Sequence, residues 1–289
     1  MTKKSVLITG TSTGFGRRLV TEFLQAGWRV IATLRNAEAR RDLFADDIAK
    51  APDRLFILSL DVAREPERAR IAAFIETQFG GRLDCLVNNA GYGVVGAFED
   101  LSEAQIREQM EVNFFGLALF TRDLLPFLRT ARGRIINVSS VLGYTGMPFS
   151  SLYCASKFAV EGLSEALYYE LQPHGVQVAL VEPGAYRTGF RNNIIYGAKS
   201  FDETSAYKSQ FAGLSDYRNR RDDGPGTPID PVINAVVRLA TAKKMPLRVR
   251  CGKDAKAAYA AKRLLPAGLH RTVMSKVYDK LFARRTQES

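Results

Sequence analysis

The residue pair with the clearest chemical potential in this chain is Tyr153 and Lys157, in the stretch Tyr-Cys-Ala-Ser-Lys. The pair opens a run, 158–171, whose large apolar residues recur at helical spacing. Positions i and i+4 share a helix face, so the two side chains are predicted to be adjacent. An ammonium group lowers a neighbouring phenol's pKa from about 10, so the phenol could exchange a proton with an alcohol or ketone. The same spacing also fits a surface Tyr/Lys pair.

A second chemical signal is the glycine loop at Gly10, Gly14 and Gly16, which lies between an apolar strand and a helical pattern. Glycines let the backbone approach a diphosphate, and a helix N-terminus offers free amides and the positive end of its dipole. Hydroxyl donors follow the first glycine directly: Thr11, Ser12 and Thr13. The order of strand, loop and helix predicts a dinucleotide site, although a tight turn alone would contain the same glycines.

The end of the second predicted strand indicates which dinucleotide binds. A carboxylate there would hydrogen-bond the ribose 2′-hydroxyl of NAD, whereas an arginine accommodates the 2′-phosphate of NADP. The chain has Arg35 and Asn36 at this point and no carboxylate. The residues therefore favour NADP (NADPH) over NAD, and the alternative is a solvated arginine at a strand end.

Short apolar strands alternate with helical patterns along the chain. The predicted strands are 5–9, 29–34, 54–60, 83–87, 133–138, 176–181 and an edge strand at 247–250. The main predicted helices are 36–50, 65–79, 102–128, 153–172 and 231–242. Ser102 and Gln105 have the spacing of a capping box for the third of these, and Pro126 is expected to disturb its last turn. This alternation predicts an α/β fold with a doubly wound parallel sheet, Rossmann-type, and a ligand site at the carboxyl ends of the strands.

Length and composition favour one large domain. The chain has 289 residues, 46% of them hydrophobic, and no apolar run long enough to span a membrane. The three cysteines and two histidines show no disulfide or metal spacing, so no metal site is predicted. The N-terminal sequence leads directly into a strand, leaving no room for a signal peptide. We expect a cytoplasmic protein.

The C-terminal part of the chain is basic and amphipathic. We predict a Rossmann-type domain at 1–252, with a polar substrate lid at about 189–228, and an extension at 253–289. Nine basic and three acidic side chains give the extension +6 of the total charge of +11. Its apolar residues recur at helical steps from Leu269. The helix could pack over the substrate cleft or a subunit partner, contact an anionic membrane surface, or bind nucleic acid.

Several short motifs occur in order on this scaffold: Thr9-Gly-x-x-x-Gly-x-Gly16, Asp61-Val62, Asn88-Asn-Ala-Gly91, Asn113, Ser139-Ser140, Tyr153-x-x-x-Lys157 and Pro183-Gly184. Together these motifs resemble those of the short-chain dehydrogenase/reductase family. The stretch 146–164 is also similar to the branch that includes 17β-hydroxysteroid and retinol dehydrogenases. No catalytic position departs from the family pattern.

The resemblance implies a role for each matching residue. Tyr153 is the general acid in ketone reduction or the base in alcohol oxidation, and Lys157 lowers its pKa and binds the nicotinamide ribose. Ser140 hydrogen-bonds the substrate oxygen, and Asn113 holds a water that links Lys157 to solvent. With Arg35, the expected cofactor contacts are Gly10, Thr11, Ser12, Gly14, Phe15, Gly16, Asp61, Val62, Asn88, Ala90, Gly91, Lys157, Pro183, Gly184 and Thr188.

The loops near the catalytic motifs indicate the substrate class. Besides Ser140, the candidate pocket residues are Val141, Leu142, Met147, Phe149 and Tyr186. An apolar and aromatic lining suits a lipophilic ketone or secondary alcohol better than a sugar or an acid. The resemblance further implies a homodimer or homotetramer formed through the helices at 102–128 and 153–172.

These observations predict an NADP-dependent oxidoreductase that interconverts a ketone or aldehyde and an alcohol. Hydride transfer to a carbonyl builds negative charge on its oxygen, and Tyr153 and Ser140 provide two hydroxyl donors there. The alternative is a non-catalytic, dinucleotide-binding regulatory protein on the same fold. The clustering of the basic charge in the extension argues against a nucleic-acid-binding protein, and a nucleotide-sugar epimerase would have a larger C-terminal substrate domain.

Overall fold

A seven-stranded parallel sheet, covered by helices on both faces, organises the chain. The computed structural model describes residues 3–186, 193–222 and 227–282. The strands are β1 (Ser5–Thr9), β2 (Arg29–Leu34), β3 (Leu55–Ser59), β4 (Cys85–Asn88), β5 (Gly93–Val95), β6 (Arg134–Val138), β7 (Gln177–Pro183), β8 (Ile194–Tyr196) and β9 (Arg248–Cys251). The helices are α1 (Gly14–Gln25), α2 (Ala45–Lys50), α3 (Glu65–Phe79), α4 (Glu103–Met110), α5 (Leu117–Ala131), α6 (Ser151–Leu171), α7 (Lys208–Asp222), α8 (Asp230–Thr241), α9 (Lys253–Leu264) and α10 (Ala267–Phe282).

The strand order confirms the predicted doubly wound fold. It runs β3-β2-β1-β4-β6-β7-β9, so the direction of winding reverses between β1 and β4. Ligands of open parallel sheets bind in the crevice that such a reversal leaves at the carboxyl ends of the strands. The glycine loop after β1 and the segment after β4 both lie at this crevice. The seven predicted strands match the sheet within one or two residues at each end.

Two apolar layers hold the helices on the sheet. One layer contains Phe23 and Trp28 and lies beneath α1 and α8, whereas the other contains Ile75, Phe120 and Leu124 from α3 and α5. The layers alternate along each strand, since Val6 and Ile8 face one side and Leu7 faces the other. Burial of both faces explains why the strands are apolar throughout rather than alternating with polar residues.

The predicted lid contains regular structure that its weak periodicity did not indicate. Its described part includes β8, which pairs in parallel with β5 in a small second sheet, and the helix α7. Phe211 and Leu214 of α7 are buried against Val95 and Met147. The sequence of α7, KSQFAGLSDYRNRRD, contains few large apolar residues, so the segment reads as polar and loop-like in the sequence.

The structure confirms a helical segment at 102–128, but the type of helix changes along its length. Ser102 forms the expected capping box with Gln105. Between α4 and α5, residues Glu111–Gly116 adopt π-helical geometry. Pro126 is expected to disturb the last turn, but α5 continues through it to Ala131. Similarly, the predicted helix at 36–50 is a 3₁₀ helix, Glu38–Phe44, followed by the short α2.

The edge strand β9 is joined to the sheet by buried charges as well as by backbone pairing. Glu182 of β7 is fully buried, and its carboxylate forms ion pairs with Arg248 at 3.4 Å and with Arg250 at 3.0 Å. Arg248 also pairs with Glu161 of α6 at 2.9 Å. Burial, reinforced by the nearby Glu161, raises the pKa of Glu182 to about 7. The cluster therefore links β7 and β9 to the helix that carries Tyr153.

Among the residues that the structure describes, none of the helices combines the length and hydrophobicity that crossing a bilayer requires. The helices α9 and α10 follow β9 directly and contact each other. The division into a domain at 1–252 and an extension at 253–289 stays a prediction.

Candidate active site

A large cavity lies at the carboxyl ends of the strands, where the order of the sheet reverses. Its volume is about 940 Å³, at the upper end of the range for small-molecule sites. Most of the predicted site residues line it: Gly10, Ser12, Gly14, Phe15, Arg35, Asp61, Val62, Ala90, Gly91, Ser140, Leu142, Met147, Tyr153, Lys157, Pro183, Gly184 and Tyr186. Thr13 and Val141 line it too. Residues that are far apart in the sequence are therefore brought together as predicted.

The glycine loop gives the cavity a wall of backbone. Gly10 has a φ of +70°, and a Cβ atom there would lie 2.8 Å from the Cα of Ala90, so a larger residue would be both strained and obstructed. Thr13 is the N-cap of α1, and its side chain makes no capping hydrogen bond. The first backbone amides of α1 therefore remain available to an anionic group such as a phosphate.

Two of the predicted cofactor contacts in this loop pack against the protein. Thr11 is fully buried, and its hydroxyl donates to the carbonyl of Thr33 at 3.1 Å. A Cβ atom on Gly16 would lie 2.3 Å from the carbonyl oxygen of Gly10, so the absence of a side chain lets α1 pack on the loop. Neither residue lines the cavity. The glycine spacing alone does not distinguish positions that face a ligand from positions that face the protein.

The catalytic candidates Tyr153, Ser140 and Lys157 meet at one end of the cavity. The Ser140 side chain hydrogen-bonds the hydroxyl of Tyr153, and its oxygen also accepts from the backbone amide of Leu142 at 3.1 Å. Lys157 is buried, and its Nζ donates to the carbonyl of Val138 at 2.8 Å. That Nζ lies 5.7 Å from the centre of the Tyr153 ring. The helix α6 supplies the tyrosine and the lysine, and the loop after β6 supplies the serine.

Burial, rather than the lysine, dominates the ionisation of these groups. It raises the pKa of Tyr153 to about 12, and the hydrogen bond from Ser140 opposes this effect. Burial also lowers the pKa of Lys157 to about 8, against the influence of Glu161 one turn further along α6. The expectation that Lys157 makes Tyr153 acidic is therefore not met in this structure. Near neutral pH the phenol keeps its proton and is a donor.

Asn113 is buried in the π-helical segment and does not line the cavity. Its side-chain oxygen accepts from the amide of Tyr92 at 3.0 Å, and its Nδ2 donates to the carbonyl of Tyr92 at 2.9 Å. The same Nδ2 contacts the hydroxyl of Ser156 at 3.2 Å. The amide thus fixes the loop after β4 relative to α6, while the water that Asn113 is expected to hold stays a prediction.

Asn89, rather than the predicted Asn88, faces the cavity. Asn88 is buried beneath it, and its Nδ2 donates to the hydroxyl of Thr121 at 2.9 Å and to Oδ1 of Asn137 at 2.8 Å. Asn89 donates to the carbonyls of Thr9 and Gly10. Adjacent residues of an extended chain point to opposite sides, so two consecutive asparagines necessarily take different roles.

The far end of the cavity, beyond β2, is more basic than predicted. Arg40, in the 3₁₀ helix Glu38–Phe44, lines it together with Arg35. Sequence reasoning missed Arg40 because it assigned this segment to a polar surface helix. Two carboxylates, Glu108 and Glu111, line the cavity as well and were also missed. Asp61 turns its side chain towards its own loop, accepting from the amide of Ala63 at 3.1 Å.

The predicted substrate residues divide between the cavity and the lid. Leu142, Met147 and Tyr186 line the cavity, whereas Phe149 does not. Phe149 has a φ of +61°, and its ring packs edge-on against Phe211 of α7, with 5.8 Å between centres. It therefore supports the lid. The predicted cofactor residue Thr188 lies outside the described part of the chain.

A residue of the C-terminal extension holds the loop after β7. The carboxylate of Asp254, in the first turn of α9, accepts from the backbone amide of Ala185 at 2.7 Å. Gly184 permits this contact, because a Cβ atom there would lie 2.1 Å from the same carboxylate. The loop supplies Pro183, Gly184 and Tyr186 to the cavity. No motif in the sequence indicated this support.

Two buried hydroxyls suggest that a polar ligand belongs in this part of the cavity. The side-chain oxygens of Ser139 and Tyr186 are inaccessible and have no hydrogen-bond partner among the described residues. Both residues line the cavity, and buried hydroxyls of folded proteins are normally paired. The unpaired hydroxyls, the free amides of α1 and the arginines at the far end together suit an elongated polar ligand with phosphate groups.

Comparison with known proteins identifies the family. The sequence profile described as short chain dehydrogenase matches residues 4–197, so the chain belongs to the short-chain dehydrogenase/reductase family. It is 35% identical over 289 residues to the uncharacterized oxidoreductase YusZ of Bacillus subtilis, covering 98% of this chain and 100% of that protein. It is 31% identical to retinol dehydrogenase 8 of Bos taurus (92% and 86% covered) and 37% identical to human 17-beta-hydroxysteroid dehydrogenase type 1 (68% and 60% covered). The resemblance to the branch of 17β-hydroxysteroid and retinol dehydrogenases is thereby confirmed.

Solved structures agree with this assignment. A short-chain dehydrogenase from Streptomyces avermitilis superposes with a TM-score of 0.78 at 34% identity, and 96% of each chain is covered. A metagenomic short-chain oxidoreductase in complex with NADP superposes with a TM-score of 0.67 at 25% identity, covering 86% of this chain and 97% of that one. The protein is thus an alcohol/carbonyl oxidoreductase by family.

The corrected role of Asn88 can be tested by stability. Asn88→Ala leaves Thr121 and Asn137 with unpaired buried groups, so we expect the free energy of unfolding to fall by about 1–3 kcal/mol. Because Asn88 does not line the cavity, the affinity for NADPH should change less than about twofold. Urea unfolding and fluorescence titration measure the two quantities. Asn89→Ala is the matched control and should weaken NADPH binding, and a large affinity loss confined to Asn88→Ala would contradict the assignment.

The ionisation of Lys157 can be observed directly. We expect its side chain to lose its proton with a midpoint near pH 8, because burial disfavours the ammonium form. Measurement of the lysine Cε chemical shift by ¹³C NMR between pH 6 and 11 follows this step, and Lys157→Arg identifies the signal by its disappearance. A midpoint at the ordinary lysine value of 10.5 would show that the site is more hydrated than the structure indicates.

Proposed function

We propose that the protein is an NADP-dependent reductase that interconverts a lipophilic ketone or aldehyde and the corresponding alcohol. The observation that carries this proposal is the arrangement of Tyr153, Ser140 and Lys157 at one end of a cavity that reaches Arg35 and Arg40 at the other. The first group is suited to proton transfer with a carbonyl oxygen, and the second is suited to a phosphate dianion. The cavity is large enough for a dinucleotide and a substrate together.

The catalytic group is arranged to protonate an oxygen. The phenol of Tyr153 keeps its proton near neutral pH and donates it to the carbonyl oxygen as negative charge develops there. Ser140 supplies a second hydroxyl at the same position. NADPH, when bound, supplies the hydride to the carbonyl carbon. The Nζ of Lys157 lies 5.7 Å from the centre of the Tyr153 ring and donates to the carbonyl of Val138, and we propose that its remaining protons hold the nicotinamide ribose of the cofactor. Alcohol oxidation uses the same groups in reverse.

The basic end of the cavity supports NADP as the cofactor. No carboxylate follows β2 at the position where NAD would need one, and Arg35 occupies the position suited to a 2′-phosphate. Arg40 adds a second guanidinium group on the same wall. The complex of the metagenomic relative with NADP is consistent with this choice.

The lining near Tyr153 supports a lipophilic substrate. Val141, Leu142, Met147 and Ile195 present apolar side chains there. These apolar side chains would offer an anionic sugar few polar partners in exchange for its lost hydration. A ketone or secondary alcohol with an apolar body would bury its carbon skeleton against these residues.

A homodimer or homotetramer through α4, α5 and α6 also remains a proposal. Large aromatic side chains are exposed in this region: Phe115 (46%), Phe158 (46%) and Tyr169 (62%). Exposed aromatic residues are enriched at interfaces between subunits.

Tyr153→Phe tests the catalytic assignment. It removes the proton donor but keeps the ring, so the rate of NADPH-dependent ketone reduction should fall by about 10²-fold or more, with little change in NADPH affinity. The assay uses a panel of aliphatic, steroid and aromatic ketones. Tyr169→Phe, on the exposed part of the same helix, should retain full activity. If Tyr153→Phe reduces ketones at the original rate, the assignment of the acid is wrong, and if the unmodified protein binds NADPH but reduces nothing, the regulatory alternative is favoured.

Arg35→Ala tests the cofactor assignment. Loss of a charge-assisted hydrogen bond should weaken NADPH binding roughly tenfold to hundredfold. NADH lacks the 2′-phosphate, so its dissociation constant should change by less than about twofold. Isothermal titration with each cofactor gives both values, and Arg64→Ala, whose side chain is 70% exposed and outside the cavity, serves as the control. An equal loss for both cofactors would mean that Arg35 does not contact the 2′-phosphate.

A further inference from the structure

The helix α10 exposes an apolar stripe. Leu269, Val273 and Val277 recur at steps of four residues and are 51%, 39% and 41% exposed. Leu264, at the end of α9, is 78% exposed. Isolated exposed leucines and valines are common, but three of them at four-residue steps form a stripe along one helix, and such an exposed apolar stripe indicates an interaction surface.

The stripe is not the face by which α10 packs on the rest of the protein. That face carries His270, which is buried, and Met274 and Tyr278, which are partly buried. The helix packs along α7 of the lid, and the Tyr278 hydroxyl donates to the carbonyl of Gly146 at 2.5 Å. α10 therefore packs against the rest of the protein through one face, and its apolar stripe lies on a different face, which is exposed.

The charge around the stripe indicates the chemistry of its partner. Residues 253–280 contain seven basic side chains and two acidic ones, and all seven basic residues are exposed. One of the two carboxylates, that of Asp254, accepts from the amide of Ala185 in the loop after β7. Apolar residues next to a cationic surface suit a partner that is both apolar and anionic, and an anionic phospholipid bilayer has these properties. A second copy of the same face is disfavoured, since it would bring like charges together.

A membrane that binds the stripe would lie close to the cavity. Gly146 is joined to α10 by Tyr278, and Met147 beside it lines the cavity. Met147 and Phe149 also pack in the same apolar cluster as Phe211 of α7. A bilayer that contacts α10 would therefore lie next to the lid, where a substrate dissolved in lipid could enter.

We propose that α9 and α10 form a peripheral membrane-binding surface specific for anionic phospholipids, with Leu264, Leu269, Val273 and Val277 inserted at the interface. The basic side chains bind the headgroups, and the lid faces the bilayer. The binding itself does not depend on the proposed enzymatic function.

Co-sedimentation of the full-length protein with vesicles tests the proposal. The protein should bind vesicles of phosphatidylcholine containing phosphatidylglycerol, bind pure phosphatidylcholine far more weakly, and dissociate as salt is added. Leu269→Ser should lower the partition coefficient roughly tenfold. Leu43→Ser is the matched control, since Leu43 is 45% exposed on a different element, and it should bind as the unmodified protein does.

A second pair of variants, each of which removes two basic charges, tests the electrostatic contribution to vesicle binding. Arg271→Gln with Lys276→Gln should lower binding by about fivefold for each charge removed. Lys50→Gln with Arg129→Gln removes two exposed charges from α2 and α5 and should leave binding unchanged. Circular dichroism and thermal unfolding establish that each variant is folded. The proposal is overturned if the unmodified protein does not sediment with anionic vesicles or if both pairs lower binding equally. It is also overturned if light scattering shows that the stripe mediates self-association, which Leu269→Ser abolishes.

Discussion

The arrangement of the active site depends on the position of one buried ammonium group, that of Lys157. Lys157 extends from α6 to the carbonyl of Val138, the last residue of β6. A lysine is costly to bury, so its surroundings must be organised to hold it. The contact fixes α6 against the carboxyl end of β6, and this fixes Tyr153 opposite Ser140. The sheet, the helix and the hydroxyl pair therefore have to form together before the site exists.

The same requirement explains the polar network beneath the cavity. Asn88 ends β4, Asn137 is the next-to-last residue of the neighbouring strand β6, and the two side chains bond at 2.8 Å, while Asn137 donates onward to Ser164 of α6. Asn113 joins the loop after β4 to the same helix through Ser156. The bonds from Asn137 and Asn113 join α6 to β6 and to the segment that holds the loop after β4, and the bond between Asn88 and Asn137 joins the two strands. Such a network is favourable only when every member is paired, so it specifies one position for the helix.

Sequence patterns predicted the structure most reliably where interactions between residues close together in the sequence determine it. Strands buried on both faces give apolar runs, and the capping box at Ser102 and the pair Tyr153 and Lys157 depend on spacing alone. The failures arose where tertiary structure decides. Whether Asn88 or Asn89 faces the cavity depends on the neighbouring strand, and Arg40 reaches the cavity only because its segment folds back as a 3₁₀ helix. The pKa of Tyr153 depends on burial, which the spacing does not reveal.

The bond between Asp254 and Ala185 has a consequence for protein engineering. The bond couples the start of α9 to the loop that supplies Pro183, Gly184 and Tyr186 to the cavity. A shortened biocatalyst that ended before α9 would lose the carboxylate that steadies the 184–186 loop, and a replacement acceptor would have to be designed there. Changes of substrate range made by grafting loops should accordingly exchange this loop and the start of α9 as one cassette.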